Sequence, residues 1–166
     1  MAQIGDPKQL FAHKLGAALT MEETVLSMLE ELEQQANDAE LKEQLSHHHD
    51  ETRQQVANLE QAFSAIGVER KKRPCPAIEG LEVEGKEMLK QSAQELYDAV
   101  ILGGCAEVEH HEIAVYDGLI TMADELGEDD VVALLEENLE QEEHTLKEVE
   151  KAFEQQSKKL AERIAA

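Results

Sequence analysis

The chain has 166 residues and carries 37 acidic against 15 basic side chains, a formal net charge of −22. So large an acid excess, with one basic run at Arg70–Arg73, argues against nucleic-acid phosphates and an anionic membrane surface as partners. Three prolines, nine glycines, no Trp and 3% aromatics predict an all-α fold rather than a sheet.

The length fits one domain over residues 1–166. Cys75 and Cys105 form no CxxC pair, hence neither a disulfide framework nor a zinc motif. The opening MAQIGDPKQL lacks the layout of a signal peptide, and no apolar run approaches the roughly 20 residues of a membrane span, so a cytoplasmic location is expected.

The first helix opens on Asp6 as N-cap with Pro7 at the first helical position, and runs to about Gln35. Its apolar seam passes through Phe11, Leu15, Ala18, Val25, Leu29 and Leu32, and Glu22 falls in that rhythm. A carboxylate in a bundle seam is costly unless something pairs with it. Ala36-Asn37-Asp38 is a turn short enough to make the first two helices antiparallel. The second helix carries Leu41, Leu45, Val56, Leu59, Phe63 and Ile66 and ends at Gly67; its seam passes through His48 and then Glu51 or Thr52.

Residues 68–91 read as a crossover. Pro74 and Pro76 interrupt regular helix, and Glu79–Lys90 forms a short amphipathic helix, so that the flanking long helices run parallel. Ser92 and Glu95 form a capping box for the third long helix, with a seam at Leu96, Ala99, Val100, Gly103, Ala106, Ile113, Tyr116 and Ile120. Gly103-Gly104 implies close approach of a neighbour. Glu109, Glu112 and Tyr116 share one face in EVEHHEIAVY. Gly127 ends this helix and Asp129 or Asp130 caps the last, whose seam is Leu135, Leu139, Glu142, Leu146, Val149 and Phe153. Residues 154–166 continue as a basic helical tail.

Each long helix thus interrupts its seam near mid-length: Glu22; His48 with Glu51; Glu109 with Glu112; Glu142. Brought to one level, these acids and one imidazole form an oxygen-rich donor set suited to Fe(II) or Mn(II) rather than to structural zinc, and a two-metal site is the expectation. Singly, Glu109 or Glu112 reads as a solvated helix-surface acid and His48 as a surface or hydrogen-bonded histidine, whereas Glu22 and Glu142 interrupt regular apolar seams; the coincidence on four helices carries the functional reading. Tyr116 is either a hydrogen-bond donor or electron relay at that site or an ordinary core tyrosine. His47 and His49 point sideways, His110 remains open as a spare ligand, and Cys75 is either a structural or a reactive thiol.

Thr20-Met21-Glu22, His48–Glu51–Thr52 with LEQAF beyond it, the crossover CPAIEGLEVEG, and VEHHEIAVY resemble the YciF-like group of ferritin-superfamily stress proteins, from about Leu10 to Val149. The resemblance implies a ferritin-like four-helix bundle with a long crossover between the second and third long helices carrying an extra short helix. It also implies a rubrerythrin-type centre of two metal ions (iron, manganese or a mixed pair) and a homodimer. The implied ligands are Glu22, His48, Glu51, Glu109, Glu112 and Glu142, the set the seams give independently. Leu146 and Thr145 stand where the family and the rubrerythrins offer an acid and a His, which weakens a second metal position. Members of the group are stress-associated and have no assigned reaction; the two-metal site itself suggests an oxidoreductase consuming peroxide or dioxygen with an external electron donor, with metal sequestration without turnover and a metal-free structural stress protein as the alternatives.

Overall fold

The structure, a computed structural model, describes residues 3–165; the last residue of the expected tail, Ala166, lies outside them. Five α-helices follow one another: α1 (Pro7–Gln35), α2 (Ala39–Ala65), α3 (Pro76–Gln91), α4 (Tyr97–Glu125) and α5 (Asp129–Ala165), with no strand among the described residues. Helix α1 packs on α2 and α4, α5 packs on α2 and α4, and α3 lies over the groove between α1 and α4. The expected all-α four-helix bundle with a helical crossover is what the chain forms.

The ends follow local chemistry. The Asp6 carboxylate accepts from the Gln9 N–H at 2.8 Å, and Pro7 starts α1 where its missing donor costs nothing. Helices α2 and α4 both end on left-handed glycines, Gly67 at φ 68° and Gly127 at φ 72°, a conformation that penalises any side chain. Two expected caps are different. Ser92 closes α3, a single 3₁₀ turn Gln94–Leu96 follows, and α4 begins at Tyr97 with no side-chain cap. Asp129 and Asp130 lie inside the first turn of α5, where their charge complements the helix dipole.

Topology is fixed by one missed residue. Asp98, buried at the start of α4, accepts from the backbone N–H of Asn37 at 2.6 Å, while Asn37 Nδ2 donates to the Gln94 carbonyl at 2.8 Å. The α1–α2 turn and the start of α4 therefore share one end of the bundle, which makes α2 and α4 parallel, as expected for a crossover.

The crossover is also held by a close approach, though not at the expected glycines. A Cβ on Gly103 would make ordinary contact with the Phe153 ring at 3.6 Å, and one on Gly104 would meet nothing within 4 Å. The constrained glycine is Gly16, where a Cβ would sit 2.3 Å from the Lys71 carbonyl oxygen, and whose own carbonyl accepts from the Arg73 N–H at 2.9 Å. Gly16→Ala is expected to cost about 1–3 kcal/mol by overpacking, read as a lower denaturation midpoint at unchanged m-value; a neutral result would mean the crossover moves away freely.

The core has two apolar ends and a polar waist. Phe11, Leu15, Leu19, Leu59, Phe63 and Leu135 fill one end; Leu29, Leu41, Leu45, Ile101 and Leu102 fill the other. Between them lie Glu22, His48, Thr52, Gln55, Asn58, Glu109, Glu112, Asn138 and Glu142, all buried. On α4 the expected seam holds at fully buried Tyr116 and is otherwise out of phase. Leu96 is exposed, and Ala99, Val100, Gly103, Ala106, Ile113 and Ile120 are only half-buried, whereas Ile101, Leu102, Cys105, Val108 and Leu119 face inward. With α1, α3 and α5 around it, α4 is apolar on more than one side, so apolar spacing alone does not pick the innermost stripe. On α5, likewise, Leu139, Leu146 and Val149 flank the interior line and Phe153 is exposed.

Candidate metal centre

The waist is set by counting along the helices. His48 and Glu109 lie about three turns inside α2 and α4, which start at the same end; Glu22 lies a similar distance from the end of α1. Helix α5 brings in Glu142 from the opposite direction. Nδ1 or Nε2 of His48 and one carboxylate oxygen each from Glu109, Glu112 and Glu142 all fall within 4.8 Å of one another. His48 Nε2 is 3.1 Å from Glu109 Oε1.

Glu22 completes the waist from α1, fully buried, and its Oε1 accepts from the Tyr116 hydroxyl. Tyr116 in turn accepts from Asn138 Nδ2 at 3.0 Å, Asn138 Oδ1 accepts from Asn58 Nδ2 at 2.8 Å, and Asn58 Oδ1 accepts from Gln54 Nε2 at 3.0 Å. Every donor in this string points toward Glu22, from Gln54 at the surface inward. The Tyr116 hydroxyl thus donates to Glu22 and accepts from Asn138, satisfied as a buried hydroxyl must be.

Asn58 and Asn138 were absent from the sequence reading. A polar residue inside an apolar stripe is the signal that would have found them, the signal used for Glu22. Asn138→Leu is expected to leave the Asn58 amide and the Tyr116 oxygen without their buried partner and to cost about 1–3 kcal/mol in stability. Denaturant unfolding checks it, and a variant as stable as the parent would mean that this string is dispensable.

Burial and mutual repulsion raise the acids. Burial is the largest cause at Glu22, pushed up to about 8, with the Glu142 charge adding to it while the Tyr116 hydrogen bond and His48 partly offset it. Burial likewise lifts Glu109 to about 8, opposed by a hydrogen bond with Glu142 and reinforced by the charges of Glu22 and Glu51. Glu112 and Glu142 are raised well above the carboxylate range, burial first and neighbouring carboxylates next. Each acid is thus raised both by its own burial and by the carboxylates beside it.

Glu51 takes a different place. Its side chain is about 20% exposed and its carboxylate lies 3.5 Å from His47 Nε2, at the rim, because the inward position of that turn is taken by fully buried Thr52. Of the other histidines, His49 is 3.4 Å from Glu30, and His110 is exposed and 3.9 Å from Glu150, which removes it as a spare ligand. Cys75 is buried, with its Sγ 3.9 Å from His111 Nε2. Burial pushes the Cys105 thiol up to about 12.

Two cavities reach the cluster, both touching His48 and Glu109. One, between α2, α4 and α5, has Gln44, His47, Glu51 and Glu148 among its walls and is partly polar. The other runs beneath α3, between α1 and α4, with walls that are almost entirely aliphatic.

An all-helical bundle of ferritin-like architecture with acids and an imidazole at its waist is thus the class of protein at hand. Residues 6–162 match the DUF892 family, described as a domain of unknown function, and the chain belongs to that family. It is 31% identical over 140 residues to protein YciF of Escherichia coli strain K12, covering 83% of this chain and 84% of YciF. The structure of the Escherichia coli stress protein YciF superposes with a TM-score of 0.88 at 28% identity, covering 93% of this chain and 98% of the other. YcfI of Rhodopseudomonas palustris, for which a structural role is suggested, gives 0.87 at 34% identity over 89% of this chain and 95% of its own. The chain is therefore YciF-like, in agreement with the motifs from Glu22 to the third long helix. No helix among the described residues is long and apolar enough to cross a membrane.

Proposed function

We propose that the waist is a two-metal carboxylate centre, holding iron or else manganese or a mixed pair, and that the protein is a stress-related oxidoreductase acting on dioxygen or peroxide. One observation carries the metal reading. Taken as charged groups, Glu22 Oε2, Glu109 Oε2, both oxygens of Glu112 and Glu142, and His48 Nδ1 are buried without a hydrogen-bond partner. Natural interiors seldom leave so many polar atoms orphaned in one place, and a cation or a proton must compensate them.

The donor chemistry fits. Four buried carboxylates carry, when ionised, the charge that two divalent cations neutralise, and bound cations would replace the protons that burial otherwise keeps on them. His48, Glu109, Glu112 and Glu142 would hold the first, and Glu22 joins Glu112 toward the second. Oxygen donors with one imidazole suit iron or manganese. Bound iron would supply the electrons that reduce an O–O bond. Tyr116 fixes Glu22 through its hydroxyl, Asn138 fixes Tyr116, and the apolar layers at both ends keep bulk water from the waist. Glu51, held by exposed His47, stands at the rim as the carboxylate that can turn inward. An external electron donor and a homodimer belong to the same reading.

The second reading, sequestration or a metal-free structural role, is favoured by Thr145, which occupies the interior line of α5 one turn past Glu142, where it offers no strong ligand. Elemental analysis of chelator-free protein, with anaerobic Fe(II) titration followed by dioxygen or peroxide, separates them. About two irons per chain that oxidise under either reagent support the oxidoreductase. Metal held without turnover favours sequestration, and no metal leaves a structural bundle.

A further inference from the structure

We propose that the aliphatic passage beneath α3 is the entry route for dioxygen, and that it admits dioxygen rather than hydrogen peroxide. This rests on the two-metal reading above and names the route of one of the two oxidants it left open.

The passage is built by absence. Gly85 on α3 and Gly104 on α4 both line it, and a methyl placed on either would meet no atom within 4 Å. Glycine inside a helix is unfavourable relative to alanine, and here neither residue permits a close helix contact or a left-handed turn. What the two glycines create is space. Around that space stand Val25, Leu29, Val100 and Val108, and at its inner end His48 and Glu109. At its mouth Lys86 is tied to Glu31 at 3.0 Å and Glu82 at 2.8 Å, so the one cation there is already neutralised and no free charge invites an anion.

A small apolar molecule crosses such walls without losing hydrogen bonds. Hydrogen peroxide, with two donors and several acceptor sites, must shed its water with little to replace it. Cations and water have the other cavity, whose polar walls at Gln44, His47, Glu51 and Glu148 suit them. Two routes, one almost wholly aliphatic and one partly polar, therefore converge on one imidazole–carboxylate pair.

Gly104→Leu fills the passage, and Gly85→Leu does so nearer the mouth; both remove a helical glycine in open space, so both should fold. Xenon applied to the metal-free protein, followed by crystallography or by xenon-129 NMR, should occupy the passage in the parent and not in Gly104→Leu. With Fe(II) loaded, Gly104→Leu should slow oxidation by dioxygen at least fivefold, leaving oxidation by hydrogen peroxide and the iron stoichiometry unchanged. A parent passage without xenon, an unaltered dioxygen rate, or equal slowing with both oxidants would overturn the proposal. A protein that binds no iron would sink the two-metal reading and the dioxygen assignment with it, whereas xenon in the passage would show that the apolar route itself is real.

Discussion

Glu142→Leu is expected to abolish metal binding while raising the stability of the metal-free protein by about 1–4 kcal/mol at pH 8. Glu142 sits on the interior line of α5, both of its oxygens lack partners as carboxylates, and its charge is a cause of the raised pKa at Glu22 and Glu112. A leucine of similar volume removes the burial cost of one acid and the repulsion felt by two others. A residue kept for packing would behave in the opposite way, losing stability and keeping whatever metal it had. Elemental analysis beside denaturant unfolding decides between them. Full metal content in the variant would remove Glu142 from the centre.

The metal-free protein is expected to lose stability as pH rises from about 4.5 to about 8. Glu22 and Glu109 have ordinary values of 4.5 when solvated and about 8 in the fold, so across that interval the native state holds protons that the unfolded chain has released. Stability falls with rising pH wherever the native state binds more protons. The contribution is complete below about 4.5 and gone above about 8, and each unit of separation is worth about 1.4 kcal/mol per group. A bound divalent cation reverses the slope, because it needs the carboxylates ionised and displaces their protons. Urea unfolding at pH 5, 6.5 and 8, with and without Mn(II), measures both curves, and a weakly buffered titration at pH 7 reads the protons released. A flat metal-free curve would mean that these carboxyls are solvated, contrary to their burial.

The candidate site was legible where chemistry contradicts periodicity. Glu22 and Glu142 interrupt apolar stripes, and an acid in a stripe is visible with no structure at all. His48, Glu109 and Glu112 were legible by their spacing and by the coincidence of depth. Glu51 was not separable from Thr52 in this way, since neighbouring residues on a helix differ by about 100° and either could be taken as the inward one. Asn58 and Asn138 were missed because a neutral amide breaks a pattern less conspicuously than a charge. The phase of α4 was missed because a helix flanked on several sides has apolar residues to spare.

By itself the sequence determined the helical class, the two turns and the crossover that join four long helices, and the presence of acids where a bundle seam should be apolar. Those are local properties, set by caps, glycines and the 3.6-residue period. Only the tertiary structure decided that Asp98 ties the α1–α2 turn to α4, and that Gly16 rather than Gly103-Gly104 receives the crossover. It alone decided that Tyr116 donates to Glu22 with an amide string behind it, while Glu51 stays at the rim with His47. Such outcomes depend on distances between residues far apart in the chain, and no local preference encodes them.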